Sequence, residues 1–176
     1  THLSAAAGSL SWAAWERVKF GRASLVGLVT GTVAGLASIT PASGYVGPAG
    51  ALLIGAIAGV ICQEAATFFK KHSKIDDSLD VFPVHGVGGI LGTLAAGIFA
   101  SSELGFFSGQ GLAGGRGIGA QLLVQACGVA AVGLYTALMT WIVLRVTGVL
   151  VALRVSAEEE TEGLDVVLHN ERGYDL

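Results

Sequence analysis

Apolar residues in this chain come in long runs separated by short polar connectors, which is the pattern of helices that span a bilayer. Five apolar segments can be drawn, at residues 3–15, 24–39, 49–69, 81–100 and 118 to about 153. A helix needs roughly 17–25 predominantly apolar residues to cross a hydrocarbon core about 30 Å thick, and several of these segments approach or meet that length. The expected fold is all-α, a polytopic transmembrane helix bundle. The fifth segment is interrupted by Arg145 and is long enough to tilt or to emerge from the bilayer. The first is short, as if its outer half were cut away, and the chain opens on Thr1 without a charged leader or a cleavage site. It therefore reads as a fragment with no signal peptide.

The connectors carry most of the charge. Glu16-Arg-Val-Lys-Phe-Gly-Arg22 reads as a short basic loop, and Thr40-Pro-Ala-Ser-Gly-Tyr-Val-Gly-Pro48 as a turn. Lys70-Lys-His-Ser-Lys74 leads into Asp76, Asp77 and Asp80, and residues 101–117 form a Gly-rich loop containing Glu103 and Arg116. Arg17, Lys19, Arg22, Lys70, Lys71, Lys74 and Arg154 fall in alternate loops and at the C-terminal end, so the positive-inside rule places those loops and the tail in the cytoplasm. Trp12, Trp15 and Trp141 then lie near cytoplasmic ends and Tyr45 near an outer end, where interfacial aromatics belong.

Composition agrees with the pattern. The chain is 52% hydrophobic and 13% charged, with a mean hydropathy of +0.68, against about 25% charged residues in a typical soluble domain. Residues 155–176 hold seven acids and one base, whereas the rest of the chain holds six acids and nine bases. An apolar, mildly basic body with an acidic tail divides the chain into a membrane bundle, 1–154, and a tail, 155–176. It also argues against a nucleic-acid partner. Cys62 and Cys127 lie in apolar segments without metal-ligand spacing, and read as small buried hydrophobes.

Glycine sets the expected packing. Gly27, Gly31 and Gly35 repeat every fourth residue, as do Gly55 and Gly59, and Gly88 and Gly92. Small residues at this spacing let membrane helices approach closely.

Within the spans the group that stands out is His85, in Asp76-Asp-Ser-Leu-Asp80-Val-Phe-Pro-Val-His85-Gly. An ionisable residue inside a span is expensive and points to function. Neutral imidazole has one donor and one acceptor nitrogen, so it can take a proton at one end and release one at the other. The structural alternative is a histidine that only hydrogen-bonds a neighbouring helix. Asp77 or Asp80 can cap the helix that carries it, and Pro83 fits the first turn best if Asp80 is the cap. Gly86, Gly88 and Gly89 leave room beside the ring.

Four stretches make the chain resemble the C-terminal half of the Amt/MEP ammonium transporters. They are Thr40-Pro-Ala-Ser-Gly-Tyr-Val46, Asp76-Asp-Ser-Leu-Asp-Val-Phe-Pro-Val-His-Gly-Val-Gly-Gly-Ile90, Gly119-Ala-Gln-Leu-Leu-Val-Gln125 and Leu153-Arg-Val-Ser-Ala-Glu-Glu-Glu-Thr-Glu-Gly-Leu-Asp165. Pro83 stands where that family more often has Gly or Ala. The resemblance implies an eleven-span fold of two inverted halves, of which this chain would hold the later part of span seven through span eleven. It implies a homotrimer with one pore per subunit, in the cell membrane, with the C-terminus cytoplasmic. His85 matches the second histidine of the family's pore pair. Val81 matches a hydrophobic pore-lining position, Thr30 and Val33 fall on the span facing it, and Phe82, Asp77 and Asp80 support the same turn. The partner histidine, and the aromatic cage that recruits the ion, would belong to an N-terminal half outside this chain; His2 does not replace that histidine.

The implied function is transport of ammonium by deprotonation, passage of ammonia through a hydrophobic pore, and a histidine proton relay, serving nitrogen uptake. Neither a cofactor nor a metal nor an enzymatic step is expected. In the tail, Arg154, Glu158, Gly163, Leu164 and Asp165 match an ordered regulatory segment that lies along the cytoplasmic face and contacts a neighbouring subunit. In many bacterial and archaeal members a PII signal protein docks on that face. Two alternatives stay open, an ammonium sensor with the transporter fold and a non-conducting structural or regulatory half.

Overall fold

The computed structural model describes residues 1–73 and 75–173, so Lys74 and Asp175, counted above, lie outside the described residues. Seven helices of six or more residues are formed among them: α1 His2–Phe20, α2 Leu25–Ile39, α3 Pro48–His72, α4 Phe82–Phe99, α5 Ile118–Leu150, α6 Ala157–Glu162 and α7 Leu164–His169. Helices α3, α4 and α5 are long and apolar enough to cross a membrane, and α2 is a shorter apolar helix. The five apolar segments thus correspond to α1–α5. The chain divides into two compact units, residues 1–130 and 131–176.

In the first unit α1 packs on both α2 and α3, and α2 packs on α3 and α4. Two small cores hold these helices together. One gathers Ile39, Ala42, Ala51, Ile54, Ala95 and Ala96, flanked by Val46 and Phe99. The other gathers Trp12, Ala34, Cys62, Ala66 and Val84, flanked by Val33 and Ala37. Alanine dominates the first, where the backbones run close together. The glycine rows make that approach possible. A Cβ on Gly35 would collide with the carbonyl oxygen of Ser4, and one on Gly92 with that of Ser38. The Ser4 hydroxyl donates to the Gly35 carbonyl at 2.8 Å in the α1–α2 contact, a buried polar group satisfied by its neighbour's backbone, as is common between membrane helices.

The basic loop expected at residues 16–22 is instead mostly helix. α1 continues to Phe20 and ends on Gly21, whose φ of 76° is the left-handed conformation that closes a helix. The extra turn is held by polar contacts that hydropathy does not reveal. The Glu16 carboxylate accepts from the Ser24 backbone N–H at 2.8 Å and from Trp12 Nε1 at 3.1 Å. Lys19 Nζ lies 2.6 and 2.9 Å from the two oxygens of Glu64 on α3, and Trp15 Nε1 donates to the same carboxylate. The three tryptophans have different surroundings. Trp12 is buried in the second core, and only Trp141, which stacks under the Arg145 guanidinium 5.3 Å from its ring centre, is well exposed. The two cysteines also differ, Cys62 being buried and Cys127 exposed.

The turn at residues 40–47 and the loop at 100–117 are tied to each other. Gln110 N–H donates to the Tyr45 carbonyl at 2.9 Å, and Gly109 and Gly111 donate to Ser101 and Ala100. In the second unit Ser156 opens α6 with a reciprocal cap: its hydroxyl accepts from the Glu159 N–H at 3.2 Å, while the Glu159 carboxylate accepts from the Ser156 N–H at 2.8 Å. Arg154 pairs with Glu160 at 3.1 Å. Gly163, at φ 103°, makes the break between α6 and α7.

Candidate functional site

His85 lies in the first part of α4, and that part is not an α-helix. Residues Phe82–Val87 form a π turn, which becomes α-helical at Gly88. A π turn bonds each residue to one farther along the chain than an α turn does, and such turns occur at functional sites more often than elsewhere. It changes the face on which every following residue falls.

The start of this turn is built by the aspartates. The two oxygens of Asp77 accept from the backbone N–H groups of Val81 and Phe82, at 2.8 and 2.9 Å. Pro83 has no N–H to satisfy, and the Val84 N–H donates to the Asp80 carbonyl at 3.0 Å. All the free donors of the first turn are therefore accounted for. The cap is Asp77 and not Asp80, against the expectation drawn from Pro83. Asp80 takes a different part. Its backbone is left-handed, with φ 55°, and its carboxylate is turned back to α3, 2.6 Å from Lys70 Nζ. Close by, the rings of Phe69, which precedes Lys70, and Phe82, two residues after Asp80, meet edge to face, with centroids 4.9 Å apart.

Two sides of α4 have opposite surroundings. Pro83, Val84, Gly88 and Gly92 are buried, with Val84 in the core against α1, α2 and α3 and Gly88 beside Ser38 and Cys62. Val81, Phe82 and His85 are exposed, and a Cβ placed on Gly89 would meet nothing within 4 Å. His85 thus stands on an open face with apolar neighbours. Of the other expected residues, Val33 packs against the core that contains Val84, so α2 does run beside the turn. Thr30 is half-buried, and its hydroxyl donates at 2.8 Å to Val26 O within its own helix. The expected room beside His85 is found at Gly89, whereas Gly88 is occupied by the α2 contact. In the tail Glu158 lies in the first turn of α6, while Leu164 and Asp165 begin α7 after Gly163.

Losing a helix cap costs about 0.5–2 kcal/mol. Asp77→Ala should therefore lower the thermal unfolding midpoint of the purified full-length protein. Asp80→Asn, which keeps a side chain tolerant of left-handed backbone, should lower it less. A larger loss for Asp80→Asn would contradict the assignment of the cap.

The whole chain has recognisable relatives. Residues 1–174 match the model of the Ammonium Transporter Family. The chain is 44% identical to a putative ammonium transporter of Methanothermobacter thermautotrophicus, over 100% of its own length and 43% of the relative's. It is 42% identical to the ammonium transporter Amt1 of Archaeoglobus fulgidus, over 99% of its own length and 43% of the relative's. Among solved structures, a Sensor Amt Protein superposes with a TM-score of 0.83 at 33% identity, covering 94% of this chain and 40% of that one. Mep2 of Saccharomyces cerevisiae superposes with a TM-score of 0.74 at 34% identity, covering 89% of this chain and 36% of that one. The chain spans 43% of the length of each of these two curated transporters. With a family match running from end to end, an all-helical fold shared with Amt and Mep structures, and apolar helices long enough to cross a membrane, the chain belongs to the ammonium transporter family.

Proposed function

We propose that the full-length protein carrying this chain conducts ammonium across the cell membrane, and that His85 is the inner member of its proton relay. The observation that carries this reading is His85 itself: a protonatable ring in a π turn, on an open face shared with Val81, Phe82 and Gly89. A hydrated cation crosses a narrow apolar pore only at a desolvation cost on the order of several kcal/mol. Giving up a proton removes that cost for the nitrogen species. Ammonia then passes the constriction beside Val81 and Phe82 as a neutral molecule, while the proton moves separately from one imidazole to the next. No bond other than N–H is made or broken, so the activity is transport and not enzymatic catalysis.

The remaining parts take supporting roles. Thr30 and Val33 contribute from α2, and Asp77 and Asp80 hold the turn that carries the histidine. Residues 1–154 form the membrane bundle and residues 155–176 a cytoplasmic tail. Arg154 at its start, with Glu158, Gly163, Leu164 and Asp165 in the tail, meets a neighbouring subunit of a homotrimer. A PII signal protein docks on the same face. The second pore wall comes from the N-terminal half of the protein, which covers the open face of α4.

The test is current evoked by an ammonium pulse in proteoliposomes. The full-length protein should give a current that saturates with ammonium, and residues 1–176 alone should give none. An ammonium current from this chain alone would overturn the two-walled pathway. Ammonium binding by the full-length protein without any current would favour a sensor.

A further inference from the structure

We propose that Lys70 and Asp80 form a clasp that holds the π turn at the height and rotation His85 needs, which makes Lys70 a positioning residue for conduction. The inference rests on the transport reading above and deepens it. Three observations converge on the junction between α3 and α4. The first is the ion pair: Lys70 Nζ lies 2.6 Å from Asp80 Oδ2, with the lysine side chain 59% exposed and the aspartate only 15%. The carboxylate is the more covered partner, and removing the lysine would leave it without its counter-charge. The second is the backbone. Asp80 is one of two non-glycine residues with positive φ among those described, and a conformation of that kind persists where its surroundings impose it. Here they do so from three sides: its N–H bonds to Asp77 O at 3.2 Å, its carbonyl accepts from Val84, and its carboxylate is held by Lys70. The third is the neighbouring ring contact, Phe69 on Phe82. Consecutive residues at the end of α3 thus grip two positions that bracket the start of α4.

Below this grip lies a cleft of about 430 Å³, lined among others by Lys70, Ser73, Asp76 and Asp80. On that side the turn borders the cleft, and the ion pair and the Phe69–Phe82 contact tie it to α3. Val81 and Phe82 directly follow Asp80, and His85 is three residues beyond Phe82. A shift in the left-handed residue is therefore passed to the constriction and the relay together. Groups that exchange protons or discriminate small permeants depend on a supporting shell that fixes them closely.

The experiment uses the full-length protein in proteoliposomes, with current divided by the amount of folded protein. Lys70→Met and Asp80→Asn should each reduce ammonium current roughly threefold to tenfold, since small misplacements of a reacting group carry losses of that order or more. Both should also change the ratio of methylammonium to ammonium current. The double variant should lose no more than the worse single one, because a pair is broken only once. Lys70→Arg, which can still reach the carboxylate, should keep most of the current. A merely structural role would reduce the yield of folded protein and leave the current per protein and the permeant ratio unchanged; that result overturns the clasp. So do losses that multiply in the double variant, and a Lys70→Arg as impaired as Lys70→Met. If the unaltered protein carries no ammonium current, the transport reading itself falls and the clasp's role in conduction with it. A conducting unaltered protein beside an unimpaired Lys70→Met overturns the clasp alone.

Discussion

His85→Ala in the full-length protein should cut ammonium-driven current on the order of 10²-fold, the scale on which a positioned proton-transfer group contributes, while leaving the amount of folded protein nearly unchanged. The two halves of that expectation have separate grounds. Folding is spared because His85 is exposed within this chain, whereas the adjacent Val84 and Pro83 fill the packed side of α4. Removing the ring vacates none of the core formed with Trp12, Ala34, Cys62 and Ala66. Current is lost because alanine neither accepts nor donates a proton, and a neighbouring aspartate cannot stand in. The Asp77 carboxylate is committed to the backbone N–H groups of Val81 and Phe82, and that of Asp80 to Lys70. His85→Gln separates two explanations for the ring. It retains a donor and an acceptor but does not titrate in the physiological range, so a relay predicts that it fails almost as badly as alanine. A glutamine variant with normal current would mean that hydrogen bonding alone is required, and the relay would have to be abandoned.

The largest effect on the fold should come from Gly92→Val, which is expected to leave little folded protein in the membrane. Gly92 is buried where α4 crosses α2, and any Cβ there would overlap the carbonyl oxygen of Ser38. The obstacle is backbone, which cannot swing aside as the end of a side chain can. The helices would have to separate, opening both the Ser38–Gly88 contact and the core around Ile39, Ala95 and Ala96. Overpacking of a close-packed interior usually costs about 1–3 kcal/mol, and a clash with rigid backbone belongs at or above the top of that range. Gly50→Ala is the control. It lies on α3, is equally buried, and a Cβ there would sit 3.4 Å from the Phe99 side chain, an ordinary contact. It should be recovered at nearly the normal level. Measurement of detergent-stable protein by size-exclusion chromatography decides the matter. Comparable yields of the Gly92 and Gly50 variants would show that the α2–α4 crossing tolerates expansion.

Much of this architecture is visible in the chain without coordinates, and the reason is that a bilayer imposes a local rule. Every backbone polar group in hydrocarbon has to be satisfied within its own segment, so a long apolar run becomes a helix whatever surrounds it. Segments 24–39, 49–69, 81–100 and 118–153 accordingly reappear as α2 to α5 with ends shifted by a few residues. The close crossings were equally legible. A glycine at every fourth position has no side chain to bury, and Gly35 and Gly92 do lie against neighbouring backbone. His85 stood out for the same kind of reason, since an ionisable group in an apolar run is conspicuous in one dimension.

What the chain could not disclose depends on groups distant in sequence. Glu16 to Phe20 looked like a loop because charge normally ends a span, yet it is helical, with Glu16 bound to Ser24 and Lys19 bound to Glu64 on α3, 45 residues away. The partners of Trp12 were equally hidden: α2, α3 and α4 close over it to form a core. Asp77 and Asp80 both read as possible caps, with Pro83 favouring Asp80 because it would then fall among the first N–H positions, whereas Lys70 holds the Asp80 carboxylate and the backbone donors go to Asp77. The π turn has no periodic signature in six residues, although it determines which way His85 faces. Hydropathy acts on each segment separately, and so it can be read from composition along the chain. The choice of partner for a carboxylate, and the face a helix presents, follow from which other segments arrive beside it, and only the packed structure decides that.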